Sequence, residues 1–425
     1  MKRRTFLSLS AGALTAQTAV RPNLLLIVAD DLGYGDLACQ GAKDMRTPHL
    51  DALRASGMNF ANCYANCPVC SPTRTSLMSG RYPDRVGVQG VIRLRPEDNW
   101  GYLSPKAVLL PEILRKAGYA TALVGKWHLG YEPHNLPTAR GFDQFHGMLG
   151  GMVMDYYTHQ GHQDTKPDMW DGTSPARPQG HCTDIFGQWA VNTLEGWKNE
   201  RKPFFLALCF NAPHTPVQPK EDWLAKVKVR EPGMSEKRAK IVALIEHMDD
   251  AVGKVLAELD RTGKRANTLV VFTSDNGGQC DQGASNGPWR GCKEDMYEGG
   301  IRVPGFASWP GRIAAGSSTE RIQLSMDISV TLAEAAGVRY PGPVEGESAL
   351  ATWLGREQDA KPRDLFWSRR EGNVRYMGKT IHAMRRGEWK LVHNSPFAPM
   401  ELYNLRDDPY EKNDLAQKNR AKFLE

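Results

Sequence analysis

Four apolar runs with no polar alternation constrain this chain more than any other feature. Leu24-Leu25-Leu26-Ile27-Val28-Ala29 leads into Asp30-Asp31, and Thr121-Ala122-Leu123-Val124 leads into Gly125-Lys126-Trp127-His128. Phe204-Phe205-Leu206-Ala207-Leu208-Cys209-Phe210 leads into Asn211-Ala212-Pro213-His214, and Thr268-Leu269-Val270-Val271-Phe272 into Thr273-Ser274-Asp275-Asn276. Continuous apolar runs describe strands buried on both faces, as in a parallel sheet covered by helices. Helical segments separate them. Thr47-Pro48 offers an N-cap and first helical residue before Leu50 and Leu53, with Gly57 as the stop, and Leu109 to Ala117 ends at Gly118. The stripe Ile241, Leu244, Ile245, Met248, Val252, Val255, Leu256 and Leu259 predicts a helix from Ser235 to Arg261. Alternating strands and helices predict an α/β fold, a large mostly parallel sheet flanked by helices. Ligands of such sheets bind outside the carboxyl ends of the strands, so the four polar clusters are expected to converge on one site.

The texture changes after residue 362. Asp364-Leu365-Phe366-Trp367, Thr380 to Arg385 and Trp389-Lys390-Leu391-Val392 are short, alternating and separated by turn residues, while Glu401 to Leu415 reads as turns and charges. A small antiparallel sheet with a closing helix is expected over 363–425, behind a catalytic-sized α/β domain over 21–362. Residues 1–20 stand apart: Lys2-Arg3-Arg4 precedes an apolar, small-residue stretch from Phe6 to Val20, too short to span a membrane stably. Arg3-Arg4-Thr5-Phe6-Leu7 matches a twin-arginine export signal. That predicts a periplasmic or secreted protein, handed over by the export machinery and without a stable membrane span once mature. Against 48 acidic residues the chain has 54 basic ones, mixed along its length, for a net charge of +6; no basic run points to nucleic acid.

Of the eight cysteines, Cys63, Cys67 and Cys70 crowd together. Zinc is rejected, because no second Cys/His pair stands at finger spacing, and Cys67-Pro68-Val69-Cys70 lacks a thioredoxin-like context. Export permits disulfides, and the sequence leaves their pairing open. Asp30, Asp31, Asp275 and Asn276 are hard oxygen donors. Brought together, three carboxylates repel unless a cation sits between them, and oxygen-only ligation favours Ca²⁺ or Mg²⁺ over zinc. In Cys70-Ser71-Pro72-Thr73-Arg74, Ser71 suits an N-cap and Pro72 a first helical position. Cys70 would then lie at the positive end of a helix, where an unmodified thiol is expected to be an activated thiolate.

Cys70-x-Pro72-x-Arg74 followed by Thr75-Ser76-Leu77-Met78-Ser79-Gly80-Arg81 resembles the signature of the formylglycine-dependent sulfatases, in which the cysteine is oxidised to formylglycine. The resemblance extends to Asp30-Asp31, Gly125 to Gly130, Asn211 to His214, Ser274 to Gly278, and Lys293 ahead of Tyr297-Glu298-Gly299-Gly300-Ile301-Arg302-Val303-Pro304. Leu402-Tyr403-Asn404-Leu405 with Asp408-Pro409 and Glu411 is similar to the family's carboxyl-terminal subdomain. The likeness is to the arylsulfatase A and N-acetylgalactosamine-6-sulfatase branch, which has the alkaline phosphatase-like fold.

That resemblance implies a sulfuric ester hydrolase acting on a sulfated carbohydrate. It implies Ca²⁺, ahead of Mg²⁺, on Asp30, Asp31, Asp275, Asn276 and the modified Cys70, with a formylglycine-generating maturation enzyme as partner. If the chain folds before export, Cys70 is converted in the cytoplasm. Lys126 and Arg74 would brace the hydrated aldehyde and the sulfate charge, His128 would act as base, and His214 and Lys293 would hold sulfate and protonate the leaving oxygen. The family's sulfate-touching Ser has no match in Gly147-Met148-Leu149-Gly150-Gly151; Asp155, Tyr156 and His159 are taken as the sugar subsite, and Gly161 to Gly180 as an insertion over the pocket. Two other readings compete: a phosphonate or phosphodiester hydrolase of the same fold, and a catalytically silent glycan-binding relative.

Overall fold

The computed structural model describes residues 21–151, 154–161, 168–356 and 362–425. The export signal expected in residues 1–20 lies outside them. In chain order the strands of the first part are β1 Asn23–Ala29, β2 Met58–Phe60, β3 Cys63–Tyr64, β4 Ala120–Lys126, β5 Gln144–Met148, β6 Met169–Asp171, β7 Ser174–Pro175 and β8 Phe204–Cys209. They are followed by β9 Thr268–Ser274, β10 Gly305–Ser308, β11 Ser317–Thr319 and β12 Gln323–Leu324. The main helices are α1 Pro48–Ala55, α2 Cys70–Ser79, α3 Leu110–Lys116, α4 Cys182–Gly196, α5 Glu221–Arg230 and α6 Glu236–Arg261.

The large sheet has the order β11-β2-β10-β9-β1-β8-β4-β5-β6-β7. Its centre, β9-β1-β8-β4, is parallel, and these four neighbours are the four apolar runs of the sequence. β10 runs antiparallel between β9 and β2 and turns the sheet into a mixed one. Alternate residues of β1 enter different cores: Leu25 and Ile27 pack with α6 and α4, whereas Leu24, Leu26 and Val28 pack with Leu77, Leu110 and Leu114 on the other face. Both faces are covered, so a polar residue at alternate positions would have had no water to face. α6 begins with Ser235 accepting a hydrogen bond from Arg238 N, and its expected stripe is buried apart from the half-buried Leu256.

Two helix starts differ from their sequence reading. Pro48 opens α1, but Thr47 caps nothing; its hydroxyl donates to Asp51. The free N–H groups of His49 and Leu50 are taken instead by the Asp249 carboxylate of α6. Likewise α2 starts at Cys70, with Val69 in the extended N-cap position, and Ser71 is a helical residue whose hydroxyl accepts from Ile92 N. A tertiary partner thus supplies the cap at α1, while at α2 the N-cap residue makes no side-chain capping bond.

A separate four-stranded antiparallel sheet, β13 Asp364–Arg370, β14 Thr380–Arg386, β15 Trp389–His393 and β16 Glu401–Asn404, closes the chain with a short helix at Arg420–Leu424. Glu401–Asn404, read as turn-like from sequence, pairs with β15 as its edge strand. The sheet packs through Leu365, Trp367, Ile381 and Val392 onto Tyr64, Met296 and Ile301. Beside that apolar contact, buried Lys390 Nζ sits 2.8 Å from both Glu298 and Glu411. Glu298 opens the short helix α7 Glu298–Ile301 and also accepts from Tyr64 Oη at 2.7 Å. The described part of the expected insertion, Gly161 and residues 168–180, contains β6 and β7 and extends the sheet edge. No helix among the described residues is long and apolar enough to cross a membrane.

Candidate functional site

The carboxyl ends of β9, β1, β8 and β4 deliver Asp275-Asn276, Asp30-Asp31, the segment to His214, and Lys126 to His128 side by side. Three residues on these approaches take left-handed backbone conformations, Asp31 at φ 64°, His128 at φ 60° and Glu294 at φ 80°. L-residues avoid that region, and such strain concentrates where a side chain must be aimed against its backbone preference. Facing these ends, α2 presents Cys70 in its first turn. The Cys70 thiol, 2% exposed, donates to Asp30 Oδ1 at 3.5 Å.

A dense ion network surrounds it. Lys126 Nζ lies 2.5 Å from Asp30 Oδ2, and Arg74 Nε donates to Asp275 Oδ2 at 2.8 Å with its Nη2 3.9 Å from Asp30. Lys293 Nζ donates to Asp31 Oδ2 at 2.7 Å, and His214 Nε2 is 3.7 Å from the same oxygen. One donor atom each from Asp30, Asp31, Cys70 and His214 falls within 4.8 Å of the others, a spacing one ion can bridge. Asp275 and Asn276 flank this group: Asp275 Oδ1 accepts from Asp31 N at 3.2 Å, and Asn276 Nδ2 donates to Asp31 Oδ1 at 2.8 Å. The Asn276 side-chain oxygen is buried with no hydrogen-bond partner. An orphaned amide oxygen beside three carboxylates is the donor set of a hard divalent cation, so the residues present fit such an ion.

The electrostatics follow from burial and charge together. Burial, then the neighbouring Asp30 carboxylate, pushes Asp275 up to about 6 despite Arg74. Burial also acts on Asp31, but Lys293, His214 and Lys126 outweigh it and hold its carboxyl below the ordinary range. Burial opposes the Lys293 charge, and Asp31 more than restores it, so this ammonium stays protonated. The expected thiolate at Cys70 is corrected: burial drives the thiol up, Lys126 only partly offsets it, and Asp30 and Asp275 add to the rise. The helix terminus is a weaker influence than loss of water and two carboxylates.

Both histidines have assignable tautomers. His128 Nε2 faces the Ile92 carbonyl at 2.9 Å; a carbonyl only accepts, so Nε2 carries the proton and the buried Nδ1, which has no other partner, is a free base. Burial, then Lys126 and Arg74, hold its pKa well down, so it is neutral. His214 Nδ1 donates to Thr215 O at 2.6 Å, leaving Nε2 toward Asp31, and burial followed by Lys293 pushes it down to about 3. Cis peptide bonds before Pro213 and Pro216 flank it.

A cavity of about 590 Å³ opens over Cys70, His214 and Lys293. Its outer wall includes Arg93, Gln279, Glu294, Arg375 and Tyr376. None of the three residues taken as the sugar subsite lines it. Tyr156 is fully buried and donates to the carbonyls of Asn211 and His214 at 2.8 and 3.0 Å, so it holds the His214 loop from behind. Asp155 accepts from Tyr157 N, Thr158 N and Gln218, and His159 Nε2 bonds the Gly180 carbonyl at 3.0 Å. These polar groups are spent on folding their own loop. The segment 147–151, where no sulfate-touching residue was found, also acts from behind: Gly151 O accepts from Lys126 Nζ at 3.1 Å, and Trp127 N and His128 N donate to Met148 O and Leu149 O. Sequence reasoning missed Arg93, Arg375 and Tyr376, which carry no motif. It also left open the disulfide Cys280–Cys292, whose two cysteines form part of the cavity wall just before Lys293.

Comparison with known proteins identifies the family. The family model described as Sulfatase matches residues 22–338, and one described as N-sulphoglucosamine sulphohydrolase, C-terminal, matches 291–425. N-acetylgalactosamine-6-sulfatase of Mus musculus is 32% identical over 416 residues, covering 91% of this chain and 75% of that protein. Arylsulfatase A of Bos taurus is 30% identical, covering 96% of this chain and 85% of that protein. Among solved structures, Ps i-CgsB in complex with k-i-k-neocarrahexaose superposes with a TM-score of 0.86 at 31% identity, covering 95% of this chain and 90% of that one. With its signature cysteine set among the carboxylates, lysines and histidines that the motifs anticipated, the chain belongs to the formylglycine-dependent sulfatases, a family of sulfuric ester hydrolases.

Proposed function

We propose that this enzyme removes sulfate from a sulfated carbohydrate, with formylglycine formed from Cys70 as nucleophile and a divalent cation, calcium ahead of magnesium, held by Asp30, Asp31, Asp275 and Asn276. The observation that carries it is the position of Cys70. Its sulfur lies within one ion's reach of Asp30, Asp31 and His214, with Lys126 and Lys293 hydrogen-bonded to the two carboxylates. A bound cation would supply Lewis-acid polarisation, and formylglycine a hydrated aldehyde with two hydroxyls.

The rest falls to the chain's own residues. His128 Nδ1, neutral and unpartnered, would take a proton from the group at position 70. Lys126 and the free Nη2 of Arg74 face the charge that builds on the same side. Lys293, kept protonated by Asp31, bears the protons on the cavity side, and His214 offers Nε2 next to it. Buried carboxylates already crowd the site, so an incoming sulfate ester needs each of these cations. The relatives named for a galactosamine sulfate and bound to a carrageenan oligosaccharide support a sulfated glycan as substrate. The test is peptide mass spectrometry across Cys70 combined with sulfate release from a panel of sulfated mono- and oligosaccharides. Conversion of Cys70 with release from sulfated sugars is expected. Release from phosphodiesters alone, or no conversion and no release, refutes the reading.

A further inference from the structure

The cavity's charges do not all belong to the reaction. Lys293 is matched by Asp31 at 2.7 Å, Arg93 by Glu371 at 2.7 Å, and Glu294 by Arg369 at 3.4 Å. Arg375 lines the same cavity, is exposed, and has no acidic partner among the described residues. It comes from the loop between β13 and β14 in the small sheet, whereas Cys70 comes from α2 in the main domain.

That loop is built to hold its place. Asn373 Oδ1 accepts from Arg375 N at 2.9 Å, and Asn373 Nδ2 donates to Asp98 at 2.6 Å. Gly372 lies so close to the main domain that a Cβ there would sit 2.5 Å from the Asn99 backbone. Tyr376 is pinned by its hydroxyl, which donates to Glu294 at 3.2 Å, and by the guanidinium groups of Arg93 and Arg369, each 5.2 Å from its ring centre. The buried pairs Arg93–Glu371 and Arg369–Glu371 fix the base of the loop. Arg375 therefore extends from a braced platform into a space larger than one sulfate requires, within the range of about 300–1,000 Å³ common to ligand pockets.

We infer that Arg375 forms a second anion subsite, recognising a sulfate or carboxylate group on the glycan other than the sulfate being removed, and so selects polyanionic substrates. This deepens the sulfated-carbohydrate reading above and rests on it. A guanidinium binds planar and tetrahedral oxyanions through paired N–H donors, and ordering it costs little where its backbone is already fixed. The acidic groups elsewhere in the wall are Glu294, tied to Arg369, and the exposed Asp281 beside Cys280, which leaves Arg375 as the anion-seeking member of the lining.

The experiment compares kcat/KM for sulfate release from a singly sulfated oligosaccharide with that from the same sugar carrying a second sulfate or, in a separate arm, a carboxylate. It uses the full Cys70-converted protein as wild type, Arg375→Ala and Arg375→Lys. The wild type is expected to prefer one of the doubly charged substrates. Arg375→Ala should reduce that preference on the order of 10- to 100-fold, Arg375→Lys should keep part of it, and added salt should shrink it. The arm that shows the preference identifies the second anion. Equal wild-type kcat/KM for all three sugars, or an unchanged ratio in Arg375→Ala, overturns the subsite. Should the wild type release no sulfate at all, the sulfated-carbohydrate reading fails separately. Calorimetric binding of the doubly charged sugar then decides: the subsite stands if Arg375→Ala weakens binding by the same factor and falls if it does not.

Discussion

Gly151→Ala adds one methyl group that touches no substrate, yet it should disable the site. A Cβ at Gly151 would lie 2.0 Å from His128 Nδ1, 2.2 Å from its Cγ and 2.4 Å from Lys126 Cε. Ordinary contact begins near 3.4 Å, so the imidazole must retreat by about 1.4 Å, the difference between 3.4 and 2.0 Å, or the 150–151 backbone must move. His128 has little room, because its ring is buried and its Nε2 is fixed on the Ile92 carbonyl. Misplacing a catalytic group by about 1 Å costs on the order of 10²-fold. A fall in kcat of about that size is expected on an aryl sulfate, with a smaller change in KM. Overpacking of this kind costs about 1–3 kcal/mol in stability, so the assay is run well below the melting temperature of the variant. Gly196→Ala, whose Cβ would meet nothing within 4 Å, is the control and should retain full activity. If Gly151→Ala keeps kcat within about threefold of wild type, His128 is not the base that its geometry suggests.

Asn276→Ala removes the buried amide oxygen that lacks a partner and should weaken calcium binding by about tenfold or more in calorimetry; unchanged affinity removes Asn276 from the cation site. Saturating calcium should raise the melting temperature and a chelator reverse it, since an ion bound to the native state adds about 2.7 kcal/mol at a hundred times its Kd. His181 caps α4 by accepting from Thr183 N at Nδ1 while its Nε2 donates to Gln218 O; the acceptor bond at Nδ1 requires the neutral ring, and burial pushes its pKa down to about 4. Because the folded value lies below the unfolded one near 6.5, its stabilisation is complete above pH 6.5 and is lost as pH falls toward 4, by about 3 kcal/mol. Denaturant melts of wild type and His181→Asn across that window should converge at the acid end; parallel curves refute the assignment. Replacing Cys280 and Cys292 by serine opens a loop with a sequence separation of 12 and should cost about 2–4 kcal/mol, read as a lower denaturation midpoint.

The sequence made the central sheet and the reacting groups legible because both are written in local patterns. A strand buried on two faces must be apolar throughout, and the residues that follow it are free to be polar only because the chain has reached the sheet edge, as at Ala29 to Asp30. What stayed hidden depends on partners distant in sequence. Asp249 caps α1 from 199 residues away in the chain, and no spacing rule around Thr47 could reveal it. Tyr156 reads from sequence as a sugar-subsite residue, but its hydroxyl serves two carbonyls under His214. The Cys70 thiol has a helix terminus beside it, as expected, but the sequence does not show how completely water is excluded around it. Arg375 lies in a short stretch of the small sheet with no signature, and its meaning comes only from which cavity it faces.

The lysine of β15 has a consequence for how this protein can be divided. Lys390 neutralises Glu298, and Glu298 begins the turn a few residues beyond Lys293, on the segment that forms the far wall of the pocket. Cutting away the last sixty residues would take Lys390 from this buried carboxylate and leave it to Tyr64 and Arg302 alone, so the tail behaves as a keystone and the two modules should melt as one.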